Sequence, residues 1–415
     1  MTAAGRHLAP FIALEAATAL SGAANGVSMV AFPWLVLELT GSASAAAAIG
    51  AVTLVPLLLT SVVSGTLVDI LGRRRVSVVS DLLSLVSVAA IPILSGLVGL
   101  SFALLAVLAV TGAFFDPAGI TARESMLPEA ARAAELQLER ANGMHEAIWG
   151  VAYLVGPGVG GLLIAVVGAT NAFWATAALF ALSAGLMFAV RIPGAGRPTT
   201  HGRLREFWPA TREGLVFLWR EPVLRSVAIL TALVVGFWLP IEGVLLPVYF
   251  EARQQPGHLG AVLMSISAGA VIGALAYAAV GARFPRRGAL NASLLGAALA
   301  VLGMAFLPPL PALLAFGFAA GVTYGPINPI GNVALQERTP DRLRGRVLGI
   351  STSIAYAAGP AGYLLVGPLI GKLGVRGTFL LLAAGLVVVA VASFAVRSFK
   401  DLDDVSHRDV GGIIR

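Results

Sequence analysis

The chain alternates between long apolar stretches and short segments that hold most of its charged residues. A helix needs roughly 20 apolar residues to cross the hydrocarbon core of a membrane, and each stretch is close to that length. The pattern therefore predicts an all-α membrane protein with twelve transmembrane helices. These spans lie at about 9–37, 43–68, 76–96, 99–120, 143–167, 170–190, 226–250, 257–281, 289–307, 311–333, 346–371 and 375–396.

The basic residues indicate how the predicted helices are oriented. All but three of the 28 Lys and Arg fall in the termini and the even-numbered connections, and none falls in the middle of a span. On this map Arg123 lies in the loop between spans four and five. Cytoplasmic loops carry the excess of Lys and Arg, so both termini are predicted to be cytoplasmic. The net charge of +7 follows from this topology and does not indicate nucleic-acid binding.

Composition supports a lipid environment and narrows the chemistry. Charged residues make up 12% of the chain, about half of the 25% that is usual in soluble proteins. There is no cysteine, and the five histidines form no metal-binding motif. The chain also lacks the G-x-x-x-x-G-K-[ST] phosphate loop of ATP-driven proteins. We therefore expect neither a metal site nor a cofactor, and an enzyme or receptor is disfavoured.

The longest hydrophilic segment, roughly 191–225, divides the spans six and six. We predict an N-terminal six-helix bundle at 1–192, a cytoplasmic linker at 193–224, a C-terminal six-helix bundle at 225–397 and a cytoplasmic tail at 398–415. The linker is predicted to contain an amphipathic helix that lies along the inner membrane surface. Its apolar face would hold Leu204, Trp208, Thr211, Leu215 and Leu218.

The two halves resemble each other weakly. "FFDPAGITARESMLPE" at 114–129 aligns with "INPIGNVALQERTPD" at 327–341, and Asn25-Gly26-Val27 aligns with Glu242-Gly243-Val244. Duplicated membrane halves place a substrate site between them near the bilayer midplane. The repeat thus predicts two pseudo-symmetric bundles and a transporter.

The segment "GTLVDILGRRR" at 65–75 resembles the signature of the major facilitator superfamily, and that resemblance implies the major facilitator fold. Its arginines can pair with Asp69, with carboxylates at neighbouring span ends, or with helix C-termini. Such contacts could latch the cytoplasmic side shut in one state, although the arginines could also simply anchor the topology. The predicted latch residues are Gly65, Asp69, Gly72, Arg73, Arg74 and Asp116.

Several acidic residues near the inner span ends are candidate partners for basic residues. Asp116, near the inner end of span four, could receive an arginine of the latch or cap the helix end. Asp81 and Glu15 are predicted to pair with cytoplasmic arginines.

A glycine-rich segment in span five, "GPGVGG" at 156–161, resembles the antiporter signature of the same superfamily. Small residues let two helices approach closely, and a proline kinks a helix. Ordinary helix packing would use the same residues, so the antiporter assignment rests on the resemblance. The motif residues are Gly156, Pro157, Gly160 and Gly161.

Longer stretches, including "GVSMVAFPWLVLELTGS", "LPIEGVLLPVYF" and "LRGRVLGISTSIAYAAGP", resemble the Tap-type multidrug efflux transporters of mycobacteria and related actinobacteria. The resemblance covers nearly the whole chain up to about residue 397. It implies proton-driven export of tetracycline- and aminoglycoside-like drugs from a bacterial inner membrane. We expect a monomer whose partners are drugs, protons and membrane lipids. The alternative is an exporter or flippase of a lipid or siderophore-like metabolite, with drug efflux as a side activity.

Two acidic residues are candidates for proton coupling. Glu242 lies deep in span seven between Pro240 and Pro247, with no basic residue within ten positions. Burial without a cation favours the neutral form of a carboxyl group, as a proton carrier requires. A protonated, hydrogen-bonded structural role is the alternative. Glu146 is placed in the first turn of span five, where the helix dipole alone would also explain an acid.

A third candidate for proton coupling, Asn25, lies in the middle of span one. Relatives that this chain resembles usually carry an aspartate there, whereas asparagine has a similar shape and cannot titrate. Either Glu242 and Glu146 carry the whole proton load, or the chain is a variant held in a protonated-like state. The predicted substrate cavity is lined by polar and aromatic residues of several spans: Ser21, Asn25, Ser28, Trp34, Phe115, Tyr153, Trp238, Glu242, Tyr324 and Tyr356.

Overall fold

The computed structural model describes residues 3–190, 192, 204–340 and 343–403, almost all of them in helices. The helices of the first half follow one another with short connections, because glycines such as Gly72 and Gly168 adopt a positive φ between them. They are α1 (Ala3–Thr40), α2 (Ala43–Leu71), α3 (Arg73–Leu97), α4 (Phe102–Ala133), α5 (Leu138–Val167) and α6 (Ala169–Ala189).

The second half begins with an amphipathic helix and contains one π-helical segment, Ile241–Leu245. A short 3-10 helix spans Gly281–Arg283, and another ends the described chain at Arg397–Asp403. The α-helices are α7 (Leu204–Arg220), α8 (Pro222–Pro240), α9 (Leu246–Glu251), α10 (Pro256–Val280), α11 (Arg286–Ala305), α12 (Leu310–Tyr324), α13 (Ile327–Arg338) and α14 (Arg344–Ala395).

The prediction of an all-α membrane protein is confirmed. Within the described residues, ten helical stretches are long and apolar enough to cross a membrane, and Ala43–Pro56 is a shorter apolar helix at the predicted second span. The stretch Arg346–Ala395 contains both predicted final spans, and Gly374 interrupts it with a φ of 68°. The count of twelve spans is consistent with this arrangement.

Helices α4 and α5 extend beyond their predicted spans into the predicted connection. Span four was predicted to end at residue 120, but α4 continues to Ala133, because transmembrane helices tolerate prolines such as Pro117 and Pro128. Span five was predicted to begin at 143, but α5 begins at Leu138. Residues that the sequence assigns to a loop are therefore helical.

The described chain groups into two compact units, and each is described by itself. The first comprises Met1–Arg203 with Gly243–Met264, and the second comprises Leu204–Glu242 with Ser265–Arg415. In the first unit α1 packs against α4, α5 and α6. In the second unit α8 packs against α14, and α7 covers an apolar cluster through Phe217 and Leu218. The predicted domain limits and the membrane-surface position of α7 stay predictions.

Candidate functional site

A polar stripe runs down α1 inside the first unit, at the helical spacing that the sequence indicates. Thr18 donates to the backbone carbonyl of Leu14. Ser21 and Asn25 have partners on other helices, whereas the buried Ser28 hydroxyl has none among the described residues. Two of the four residues of the stripe, Ser21 and Asn25, therefore make contacts between helices.

Asn25 reaches across to α4. Its Nδ2 donates to Oδ1 of Asp116 at 2.9 Å, and both side chains are partly buried. Asp116 lies well inside α4, so the idea that it caps a helix end was wrong. Its predicted part in the latch stays a prediction. In this structure Arg73 and Arg74 of the latch contact other partners.

A buried ion pair lies beside this contact. Nη1 of Arg123 lies 3.1 Å from both carboxylate oxygens of Asp81, and the side chains are 3% and 1% exposed. Ser21 accepts from Nη2 of Arg123 at 2.9 Å, and Ser183 donates to Asp81 at 2.6 Å. The placement of Arg123 in a loop was therefore wrong. The two buried charges are tolerated because they pair with each other and because each also has a serine hydroxyl as a hydrogen-bond partner, Ser21 for Arg123 and Ser183 for Asp81.

The sequence contains a signal for this network in α3. α3 has a second polar stripe, and its members are all buried. Their spacing of three or four residues places them on one helix face, so a polar partner on a neighbouring helix is expected. The stripe consists of Ser77, Ser80, Asp81, Ser84 and Ser87.

A second buried polar pair joins α1 to α5. His145 Nδ1 lies 3.1 Å from Oε1 of Glu15, and the Nε2 of His145 is buried without a partner among the described residues. Glu15 thus pairs with a histidine and not with the predicted arginine. Glu146 is exposed and lies more than two turns after α5 begins, so its placement in a first helical turn was wrong. The described residues contain no group of three or more His, Asp or Glu suited to hold a metal ion.

In the second unit, Glu242 lies in the π-helical segment between α8 and α9. Single π-helical turns are rare and frequently occur at functional sites. The hydrogen-bond partner of its carboxyl group is Trp238, one turn earlier. In the part of the chain that the structure describes, no Arg, Lys or His pairs with Glu242.

Aromatic residues surround this carboxyl group. Trp238 stacks on Tyr324 with ring centroids 5.1 Å apart and an interplanar angle of 23°. The charge of Glu242 also acts on Tyr356 and Tyr363. Trp238 and Tyr324 also line a small cavity, completed by Val234, Leu294, Ala297, Ala298, Ile327 and Leu386. Four of the predicted cavity residues are thus neighbours in one unit, and the sequence analysis missed Tyr363.

The other predicted aromatic cavity residues belong to the first unit and do not form one site. Trp34 is 1% exposed, and its indole N–H donates to Glu38 at 2.6 Å, which makes it part of the packed core. Phe115 packs edge to face against its neighbour Phe114. Tyr153 is exposed, and its hydroxyl contacts the sulfur of Met29.

The arginines of the predicted latch contact the neighbouring helix ends in the first unit. Gly72 makes the tight turn between α2 and α3 with a φ of 88°. Arg73 pairs with Glu129 at 2.8 Å, and Arg74 donates to the last carbonyls of α6, those of Met187 and Phe188. Gly65 and Asp69 lie within α2. Their predicted contacts in the latch fall outside the described residues.

The glycine-rich motif of α5 provides close helix contacts, as expected. A Cβ atom at Gly156 would lie 2.7 Å from the Cα of Gly26, and one at Gly160 would lie 3.1 Å from the Cα of Val27. Gly161 faces the start of α10, where a Cβ would meet Gly260 at 2.9 Å. Pro157 lies within α5 beside these contacts. No larger residue fits at these positions unless the helices separate.

Comparison with known proteins agrees with this architecture. The family model of the Major Facilitator Superfamily matches residues 14–306 and 243–411. The multidrug efflux pump Tap of Mycolicibacterium fortuitum is 44% identical over 95% of this chain and 97% of its own length. The Tap pump of Mycobacterium tuberculosis is 45% identical, with 95% of each chain covered. Macrolide efflux protein A of Streptococcus pyogenes is 24% identical over 95% of this chain and 97% of its own.

Solved structures share the fold at low sequence identity. The nucleoside transporter NupG superposes with a TM-score of 0.74 at 12% identity, and the alignment covers 93% of this chain and 98% of NupG. A D-xylose–proton symporter gives a TM-score of 0.73 at 14% identity, covering 93% and 97%. Both are transporters of the same architecture. The chain therefore belongs to the Major Facilitator Superfamily and, within it, to the Tap-type transporters; it is a multi-pass membrane transporter and not an enzyme.

Proposed function

We propose that this transporter exports amphipathic or cationic drugs, tetracycline- and aminoglycoside-like compounds among them, by proton antiport. Support for drug export comes from the relatives that are 44–45% identical along almost the whole chain and are named multidrug efflux pumps. The energy would come from the proton gradient across a bacterial inner membrane, with both termini cytoplasmic. No cofactor takes part in this mechanism.

The observation that carries the antiport proposal is the surroundings of Glu242. A carboxyl group in an aromatic environment without a cation is stable when it is neutral and costly when it is charged. Proton loss would make Glu242 a strong binding partner for a drug cation, and drug release would let the proton return. One carboxyl group can thus exchange a proton for a drug, because it cannot hold both.

The aromatic residues around Glu242 suit the proposed substrates. Aromatic ring faces bind cations and flat conjugated molecules, and Trp238 and Tyr324 stack on each other and line the small cavity. Tyr356 is 39% exposed, so its ring can contact a ligand without displacing the core. These rings would supply affinity for many compounds, whereas Glu242 would supply coupling.

The test is drug accumulation driven by an imposed pH gradient in proteoliposomes, with a panel of tetracycline, an aminoglycoside and a fluorescent lipid. Each exchanged proton gives about a tenfold drug gradient per pH unit, since one unit is worth about 1.4 kcal/mol. We expect Glu242→Gln to abolish accumulation, because glutamine mimics the neutral carboxyl group and cannot exchange a proton for the drug. Drug exchange without a gradient should persist at lower affinity, because the aromatic rings remain.

Glu251→Gln is the matched control, since Glu251 follows shortly after in the chain, at the end of α9 and beyond the π-helical segment. It should accumulate drug as the unmodified protein does. Full accumulation by Glu242→Gln would refute the role of Glu242. Transport of the lipid alone would refute drug export.

A further inference from the structure

The hydrogen bond between Asn25 and Asp116 draws attention to one carboxyl group in the interior of the first unit. The two residues lie in the interiors of α1 and α4, and the amide Nδ2 donates to Oδ1 of Asp116 at 2.9 Å. An amide N–H can donate to a carboxyl oxygen whether or not the carboxyl group carries a proton. The contact therefore holds Asp116 in place through both protonation states.

The two charged neighbours of Asp116 form an ion pair with each other. Among the described side chains, Arg123 of α4 and Asp81 of α3 act on its charge. Arg123, however, contacts both carboxylate oxygens of Asp81 at 3.1 Å through Nη1, and its Nη2 donates a hydrogen bond to Ser21. Asp116 has no ion pair of its own within the described residues, so no fixed cation prevents it from taking up a proton.

We infer that Asp116, held by Asn25, is the proton-binding carboxyl group of the first unit. The asparagine of α1 cannot titrate, so α4 provides the carboxyl group of this pair. Oδ2 of Asp116 would take a proton from water on one side of the membrane and release it to water on the other. This inference rests on the proposed proton antiport and adds a second proton site to it.

The test exchanges the two side chains in the full-length protein. Tetracycline-driven proton flux is measured in proteoliposomes that contain a pH-sensitive dye, over a range of pH. Asp116→Asn removes the carboxyl group and should lower the flux at least about tenfold, since a positioned proton-transfer group contributes a factor of about 100 or more. The double variant Asn25→Asp/Asp116→Asn returns a carboxyl–amide pair to the same place and should recover most of the flux.

The single variant Asn25→Asp gives a readout that a packing role would not change. It places two carboxyl groups within hydrogen-bond distance, and such a pair holds one shared proton tightly. Flux near neutral pH should therefore fall and recover as the pH rises.

Two results would overturn the inference: Asp116→Asn with unchanged flux and pH profile, or a double variant no better than Asp116→Asn. The double variant also guards against misfolding, because it keeps both partners of the hydrogen bond. Flux by the unmodified protein separates the two proposals. If the unmodified chain moves no protons with tetracycline, the antiport mechanism fails; if it does and Asp116→Asn matches it, only the inference about Asp116 fails.

Discussion

Removal of Arg123 should destabilise the first unit more than removal of any surface charge. In Arg123→Met the volume is nearly kept, but Asp81 loses both contacts at 3.1 Å. The carboxylate retains Ser183 at 2.6 Å and Ser21 at 3.3 Å. Because Asp81 is 1% exposed, water cannot replace the missing cation.

The size of this effect follows from the burial of the pair. Breaking a buried ion pair by removing one partner costs about 3–5 kcal/mol. In a unit of about 200 residues each kcal/mol shifts the melting temperature by about 2–4 °C, which gives a fall of about 6–20 °C.

The assay measures the melting temperature of each purified variant in detergent. Arg132→Met is the matched control, since Arg132 is on the same helix but its side chain is 76% exposed. The double variant Asp81→Asn/Arg123→Met should be more stable than Arg123→Met, because no buried charge remains. If Arg123→Met melts no lower than Arg132→Met, the reasoning about the buried pair is refuted.

Three further predictions concern the helix contacts, the latch and the core of the first unit. Gly156→Ala should lower the melting temperature because the added Cβ meets the facing helix backbone, whereas Gly143→Ala, which meets no atom within 4 Å, should not; equal melting temperatures would contradict this. Arg73→Glu should slow transport and change stability by less than about 1 kcal/mol, and Arg73→Glu/Glu129→Arg should restore the rate if the pair acts as a latch. Trp34→Phe should cost about 2–4 kcal/mol through its lost hydrogen bond to a carboxylate and the cavity that the smaller ring leaves, and it should leave the drug spectrum unchanged; an altered spectrum would mean that Trp34 lines the pathway.

The sequence predicted the helices and several local contacts because these depend on nearby residues. Apolar length placed the spans, and Gly72 of the predicted latch makes the tight turn before Arg73. The small residues of span five likewise indicated close packing, which Gly156 and Gly26 provide. Glu242 was identified because it lacks a basic neighbour along the chain, and the structure places no cation against it among the described residues.

The contacts that the sequence missed all depend on residues distant in the chain. Arg123 was assigned to a loop because span four was predicted to end at residue 120, and its partner Asp81 is 42 positions away. Asn25 and Asp116 are separated by 91 positions, and Glu15 and His145 by 130. Periodicity shows which face of a helix is polar, but only the packing of the helices shows which polar groups meet.

The most direct test of the account is proton release when the purified protein binds a drug. A pH indicator in weakly buffered detergent solution would report protons released on addition of tetracycline. We predict release by the unmodified protein and a release lower by about one proton per bound drug in Glu242→Gln, because binding and proton uptake are linked through one carboxyl group. Equal proton release by the two proteins at equal drug binding would contradict the central claim.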